Sequence, residues 1–140
     1  MAHPKLDNLV KVDLLRTEAA ARDEFDGLVA SGLARLGDAK NASNSLDGRF
    51  DLAYNAAHAL SLAALRWHGY RPNNKRYVVF QALEHTLGIP AKQWRVLAEA
   101  HERRNRTEYE GAVGVEPELL AALVRVVDEV ADSVRALDPP

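Results

Sequence analysis

Residues 46–68 read LDGRFDLAYNAAHALSLAALRWH, an alanine-rich run that lies between Ser45 and Gly69. Ser45 or Asp47 is suited to cap the N-terminus of a helix, and Gly69 is suited to end one. The six alanines of this run let another helix approach closely: 53, 56, 57, 59, 63 and 64. The sequence therefore predicts one long helix at the centre of a helical bundle.

Apolar residues at helical spacing predict further helices on both sides of this run. The helix before it is predicted to have Thr17 as its N-cap and to end near Gly37. After it, helices are predicted over about 77–87, from Pro90 to the region of the two glycines at 111 and 114, and from Pro117 to about 134. Residues 77–80, YVVF, have high β propensity, but no second strand is predicted to pair with them.

These elements predict an all-α fold, an antiparallel up-down bundle of four to five helices. A length of 140 residues suits one domain spanning 1–140. Residues 1–16 form an N-terminal lead-in, with a short helix as one reading, and residues 138–140 a frayed tail.

Composition excludes several classes of function. The chain has no cysteine, which removes a disulfide framework, a thiolate nucleophile and a cysteine-ligated zinc. Residues 1–16 do not resemble a signal peptide, and no apolar run is long enough to span a membrane. We therefore expect a cytoplasmic protein without membrane association. The net charge of −2 does not favour nucleic-acid binding by the whole chain, but two stretches, 66–76 and 92–106, are locally basic. The alternative interpretation of both stretches is that they are solvated helix ends.

Two short motifs can be rejected. The segment 111–114, GAVG, lacks the lysine and the preceding strand of a phosphate-binding loop. The segment 101–105, HERRN, resembles a zinc-protease motif, but Asn105 occupies the position of the second histidine. We expect no metal and no cofactor. His58, on the alanine-rich helix, is interpreted as a core or interface residue rather than a catalyst.

The densest polar cluster is HERRNRTEY, residues 101–109, which directly follows an amphipathic stretch. On a continuing helix, one face carries His101, Arg104, Asn105 and Glu108. A helix face that turns from apolar to charged inside a bundle is a candidate binding site, and a helix end emerging into water is the alternative. The candidate binding residues are His101, Arg103, Glu108 and, from the first basic stretch, Arg71.

The block RNRTEY, residues 104–109, resembles the signature of HEPN domains, the nucleotide-binding helical bundles of prokaryotic toxins and nucleases. That signature is an arginine, a polar residue, a short spacer and a histidine. The similarity extends over about 24–134 and includes segments 45–58 and 67–71. The resemblance implies a homodimer whose two motif copies face each other. For active members it also implies metal-independent RNA cleavage, in which the ribose 2′-OH attacks the adjacent phosphate.

The resemblance assigns catalytic roles to Arg104, Asn105 and Tyr109. Arg104 would hold the phosphate in its guanidinium fork, and Asn105 would orient it. Tyr109 stands where the family has histidine; a phenol titrates near ~10 and an imidazole near ~6.5, so Tyr109 is a poor base at neutral pH. It would serve as an acid or as a hydrogen-bond donor, with His101 as the alternative base. Arg104 and Tyr109 lie about 140° apart around an ideal helix.

Three functions remain open at this stage, and the sequence does not decide whether the chain is an enzyme. The first is a HEPN-like ribonuclease of a toxin–antitoxin, RNA-processing or defence system, with RNA or an antitoxin as partner. The second is a catalytically inactive nucleotide- or partner-binding subunit of a minimal nucleotidyltransferase. The third is a bundle whose polar cluster makes only ion pairs. Four residues are candidates for either a dimer interface or the core: Tyr54, Ala57, Trp67 and Tyr70.

Overall fold

The chain folds as a helical bundle with one small sheet. The computed structural model describes residues 3–110 and 115–140, without the side chains of 107–110. The elements are α1 (Pro4–Lys11), β1 (Leu15–Thr17), α2 (Arg22–Ala39), α3 (Leu46–Trp67), β2 (Tyr70–Pro72), α4 (Arg76–Gln81), α5 (Leu83–Thr86), α6 (Ala91–Glu110) and α7 (Pro117–Arg135). In the described ranges, four helices have 18 or more residues, namely α2, α3, α6 and α7. The predicted all-α bundle of four to five helices is confirmed.

The central position predicted for α3 is confirmed. Ser45 caps the helix, because its hydroxyl accepts a hydrogen bond from the backbone nitrogen of Gly48 at 3.0 Å. Gly69 follows the last turn with φ of 88°, a left-handed conformation that favours glycine. All six alanines of the run are buried. α3 consequently contacts α2, α4, α5, α6 and α7.

The helices α2 and α3 approach closely at Gly32, where a Cβ would lie 2.6 Å from Cγ of the buried Leu60. We expect Gly32→Ala to lower the free energy of unfolding by about 1–2 kcal/mol, because overpacking outweighs the gain in helix propensity. Gly27 is a matched control on the same helix, because a Cβ there meets nothing within 4 Å. Gly27→Ala should stabilise by about 0.5–1 kcal/mol. Urea denaturation of both variants measures the difference, and changes of the same sign would contradict this packing.

The small sheet is absent from the sequence-based prediction. β1 and β2 pair antiparallel, with Leu15 opposite Pro72 and Thr17 opposite Tyr70. The prediction that Thr17 caps the second helix is wrong, because Thr17 lies in β1 and the cap of α2 is Ala21. Strands of three residues are too short to show an alternating pattern, so only the tertiary pairing reveals them.

The predicted N-terminal lead-in contains the short helix that the sequence suggested, and it packs against the rest of the domain. The short helix α1 buries Leu6, and β1 buries Leu15. These two leucines form a second apolar cluster with residues from α3, β2 and the α4–α5 region: Leu65, Tyr70, Val78 and Ala82. At the other end, the carbonyl of Asp138 accepts a hydrogen bond of 2.6 Å from Nε1 of Trp67.

The remaining segments that were predicted to be helical are helical in the structure, although some of their bounds differ. Residues 77–80 are helical, in α4, as predicted. The predicted helix over 77–87 is divided into α4 and α5, and α7 begins at Pro117 as predicted. The predicted helix end near residues 111 and 114 lies outside the described residues. Among the helices that the structure describes, none is both long and apolar enough to cross a membrane.

Candidate functional site

The Arg104 side chain lies between α6 and α3, with 31% of its surface exposed. Its Nε donates a hydrogen bond to Oδ1 of Asp51 at 3.1 Å, and its Cζ lies 5.1 Å from the centre of the Tyr54 ring. Asp51 and Tyr54 are three residues apart on α3, so they present one face to Arg104. The two terminal nitrogens of Arg104 make no hydrogen bond with the described residues, which leaves them available to a ligand.

A pocket of about 340 Å³ opens beside this arginine. It is lined by Asp47, Gly48, Phe50, Asp51, Arg104 and Val115. The volume is within the range of small-molecule sites. Phe50 supplies an apolar wall, the two aspartates supply acceptors, and Arg104 supplies the donor nitrogens.

His101 lies one helical turn before Arg104–Asn105 and contacts both α3 and its own helix. Its Nδ1 lies 2.9 Å from the hydroxyl of the buried Tyr54, and its Nε2 lies 3.4 Å from Nδ2 of Asn105. An amide nitrogen only donates, so in this arrangement Nε2 carries the lone pair and Nδ1–H donates to the Tyr54 oxygen. The Asn105 contact is long and therefore weak. His101 is thus oriented by Tyr54, while Nε2 can exchange Asn105 for another donor.

His58 is a second imidazole of the same cluster, one turn after Tyr54 on α3. The rings of His58 and His101 lie 6.2 and 6.3 Å from the ring of Phe80, measured between centroids. The His58 ring is half-buried, and within the described part of the chain its nitrogens form no hydrogen bond. The structure therefore places it beside Phe80, in the same cluster as His101. The interpretation of His58 as a core or interface residue rather than a catalyst stays a prediction.

Burial and neighbouring cations keep both imidazoles neutral. Burial, together with the smaller effects of Arg76, His101 and Arg104, lowers the pKa of His58 from 6.5 to about 4. The pKa of His101 is lowered by burial and by Arg76 and Arg104. At neutral pH each ring therefore has a lone pair that can accept a proton.

The other predicted site residues lie in two different places. Nη2 of Arg103 pairs with the carboxylate of Glu116 at 3.0 and 3.1 Å, at the start of α7. Arg71, on β2, pairs with Glu18 at 2.7 Å and with Glu24 at 2.5 Å. The structure therefore brings together His101, Arg104 and Asn105, and places Arg71 in a separate ion-pair network.

The side chains of Glu108 and Tyr109 lie outside the described residues. The backbone of α6 is helical through Glu110. Positions 104 and 109 of a continuous helix are about 140° apart, so they occupy different faces. Within one chain, His101 supplies an imidazole one turn from Arg104.

The residues considered for a dimer interface pack inside the monomer. Tyr54, Ala57 and Tyr70 are 1%, 0% and 3% exposed, and Trp67 is half-buried against the cluster that contains Tyr54 and Ala57. Of the two positions that the sequence left open for these residues, a dimer interface or the core, they occupy the core. Dimerisation stays a prediction that depends on the family resemblance.

Four contributors to the cluster are absent from the sequence-based assignment: Asp51, Tyr54, His58 and Arg76. A signal for three of them exists, because Asp51, Tyr54 and His58 follow one another at i, i+3 and i+7 on one helical face. No such signal exists for Arg76, which comes from a different element and is brought close by the tertiary fold.

In the ranges 3–106 and 115–140, no group of three or more histidine or acidic side chains is placed to hold a metal ion. Comparisons of the chain with protein-family models, with curated proteins and with solved structures give no significant match.

Proposed function

We propose that this protein binds RNA at the Arg104 pocket and cleaves it without a metal ion, as the resemblance to HEPN domains implies. The observation that carries the proposal is the position of Arg104. Its guanidinium borders a pocket of about 340 Å³, its terminal nitrogens have no partner among the described residues, and a neutral imidazole lies one turn away. Guanidinium and imidazole together provide phosphate recognition and proton transfer.

Asp51 has a positioning role in this proposal. By accepting the hydrogen bond from Nε, it holds the guanidinium plane beside Tyr54 while leaving Nη1 and Nη2 for two phosphate oxygens. The carboxylates of Asp47 and Asp51 repel an anion from the rest of the pocket. A phosphate is therefore directed to the Arg104 nitrogens, with the adjoining sugar and base toward Phe50.

The proposed reaction moves one proton in each direction. Nε2 of His101 accepts the proton of the ribose 2′-OH, and that oxygen attacks the adjacent phosphorus. The bond between phosphorus and the 5′ oxygen breaks, and the leaving oxygen takes a proton from water. The products are a 2′,3′-cyclic phosphate and a 5′-hydroxyl. Arg104 stabilises the charge that develops on the phosphate oxygens.

The test measures single-stranded RNA binding and cleavage in the presence of EDTA. We expect Arg104→Gln to abolish detectable cleavage and to weaken RNA binding about 10–100-fold, the effect of removing hydrogen bonds to a charged group. Arg95→Gln is the matched control, because it removes the same charge from the exposed, opposite side of α6. Binding and cleavage that respond equally to both substitutions would refute a specific role for Arg104.

A second function is favoured by the lining of the same pocket. Phe50 offers an apolar surface for a base, and the two aspartates accept hydrogen bonds from exocyclic amino groups. This combination fits a nucleotide held without cleavage, as in a subunit that accompanies a nucleotidyltransferase. Saturable binding of a mononucleotide, lost in Arg104→Gln, together with intact RNA after prolonged incubation, would select this function over the ribonuclease.

A further inference from the structure

A second, smaller pocket borders His58. It has a volume of about 160 Å³ and is lined by His58 and by the segment that joins β2 to α4: Pro72, Asn73, Asn74, Lys75 and Arg76. Because a water molecule occupies ~30 Å³ in the liquid, the pocket has room for a small tetrahedral anion with some of its hydration.

The segment that forms the pocket is held in place by hydrogen bonds to β1 and to the two residues before it. The backbone nitrogen of Asn73 donates to the carbonyl of Leu14 at 3.1 Å. Nδ2 of Asn73 donates to the carbonyl of Asp13 at 2.9 Å, and Nη1 of Arg16 donates to the carbonyl of Pro72 at 3.4 Å. These bonds fix the backbone at Pro72 and Asn73. The positions of Lys75 and Arg76, which follow closely in the chain, are therefore restricted.

The electrostatic balance of the pocket is positive. Lys75 and Arg76 are exposed, and within the described part of the chain neither forms an ion pair. No described carboxylate lines the pocket. A concave surface with two uncompensated cations and no acid attracts an anion.

His58 gives the second, independent indication of a ligand. It is half-buried in the pocket wall, and its ring nitrogens have no hydrogen-bond partner among the described residues. A bound anion can accept a hydrogen bond from this ring. The charged or titratable groups that face it are Arg76 from α4 and His101 and Arg104 from α6, all basic. Protonation of the ring is therefore unfavourable until an anion enters.

We propose that the pocket of His58, Lys75 and Arg76 is a phosphate subsite, occupied by a phosphate group that Lys75, Arg76 and protonated His58 hold together. Its assignment to a neighbouring phosphate of the same RNA strand rests on the proposed function. His58 and His101 both lie against Phe80, so this subsite borders the cluster that contains Arg104. Occupancy of the subsite couples phosphate binding to the uptake of a proton.

The experiment follows the imidazole signals of the full chain by NMR as pH is varied, with and without inorganic phosphate. We expect saturating phosphate to move the titration of His58 upward by about 1–3 pH units, the effect of a nearby opposite charge. Arg76→Gln and Lys75→Gln should each weaken the phosphate response at least about tenfold. Lys92→Gln is the matched control, because Lys92 is exposed on α6 and lines a different surface. A His58 titration that is the same with and without phosphate would overturn the subsite.

A parallel titration with short single-stranded RNA separates this proposal from the preceding one. A His58 response to both inorganic phosphate and RNA supports the subsite with RNA as its source. A response to inorganic phosphate alone supports the subsite and shows that RNA is not the source of its phosphate. RNA binding that depends on Arg104 and leaves His58 unaffected refutes the subsite and retains the proposed function. Equal responses in Arg76→Gln and Lys92→Gln would also refute it.

Discussion

Replacing Arg66 with alanine is expected to lower the free energy of unfolding by about 3–5 kcal/mol. Arg66 is only 2% exposed, yet its guanidinium is fully engaged at the end of α3. Nε pairs with Glu24 at 2.6 Å. Its other nitrogens donate to the carbonyls of Glu18, Ala19 and Tyr70 at 2.8, 2.6 and 3.2 Å. Alanine removes every one of these bonds and leaves a cavity.

The effect is large because Arg66 joins three separate elements. It connects α3 to the segment before α2 and to β2, and Arg71 completes the network by pairing with the same two glutamates. These cations lower the pKa of Glu24 in spite of its burial. Without Arg66, the three carbonyls lose this donor, and Glu24 retains only Arg71.

The control for Arg66→Ala is Arg22→Ala. Arg22 pairs with Asp26 one turn away on α2 at 3.5 Å, with both side chains more than half exposed. Such a surface pair contributes about 0.3–0.5 kcal/mol. Chemical denaturation at pH 7 compares the two variants. A loss below about 1 kcal/mol in Arg66→Ala, similar to that in Arg22→Ala, would show that the network is not the link between these elements.

Acid is expected to destabilise the protein well above the range in which its carboxylates protonate. The folded state depresses the pKa of His58 from 6.5 to about 4. Above pH 6.5, neutral His58 does not lower the free energy of unfolding. As pH falls toward 4, that free energy decreases, because only the unfolded chain binds the proton in that interval. The loss is about 1.4 kcal/mol per pH unit and roughly 3 kcal/mol when complete.

His58→Gln tests the origin of that loss, because glutamine keeps a polar side chain that does not titrate. We expect the free energy of unfolding to fall less steeply in the variant than in the native protein between pH 6.5 and 4.5. A residual slope should remain, because burial also lowers the pKa of His68, His85 and His101. Denaturation curves at several pH values measure the slopes. Identical slopes in the two proteins would mean that His58 titrates normally in the folded state.

Part of the cluster around Arg104 was predicted from the sequence, and part of it was not. The cluster around residue 104 was visible because His101, Arg104 and Asn105 are close in sequence on one helix. Tyr109 was included through the resemblance and stays a prediction, as does the role of Glu108. His58 and Arg76 were not predicted, because their proximity to His101 depends on how α3, α4 and α6 pack around Phe80.

The sequence by itself determined the helices, because caps and apolar spacing act over a few residues. Ser45, Gly69 and Pro117 mark ends of α3 and α7, and the alanines of α3 identify the central helix. The tertiary structure alone decided which polar side chains meet. The pairing of β1 with β2, the burial of Arg66 and the approach of His58 to Arg76 join distant segments. Such contacts arise from the packing of whole elements, which no local pattern encodes.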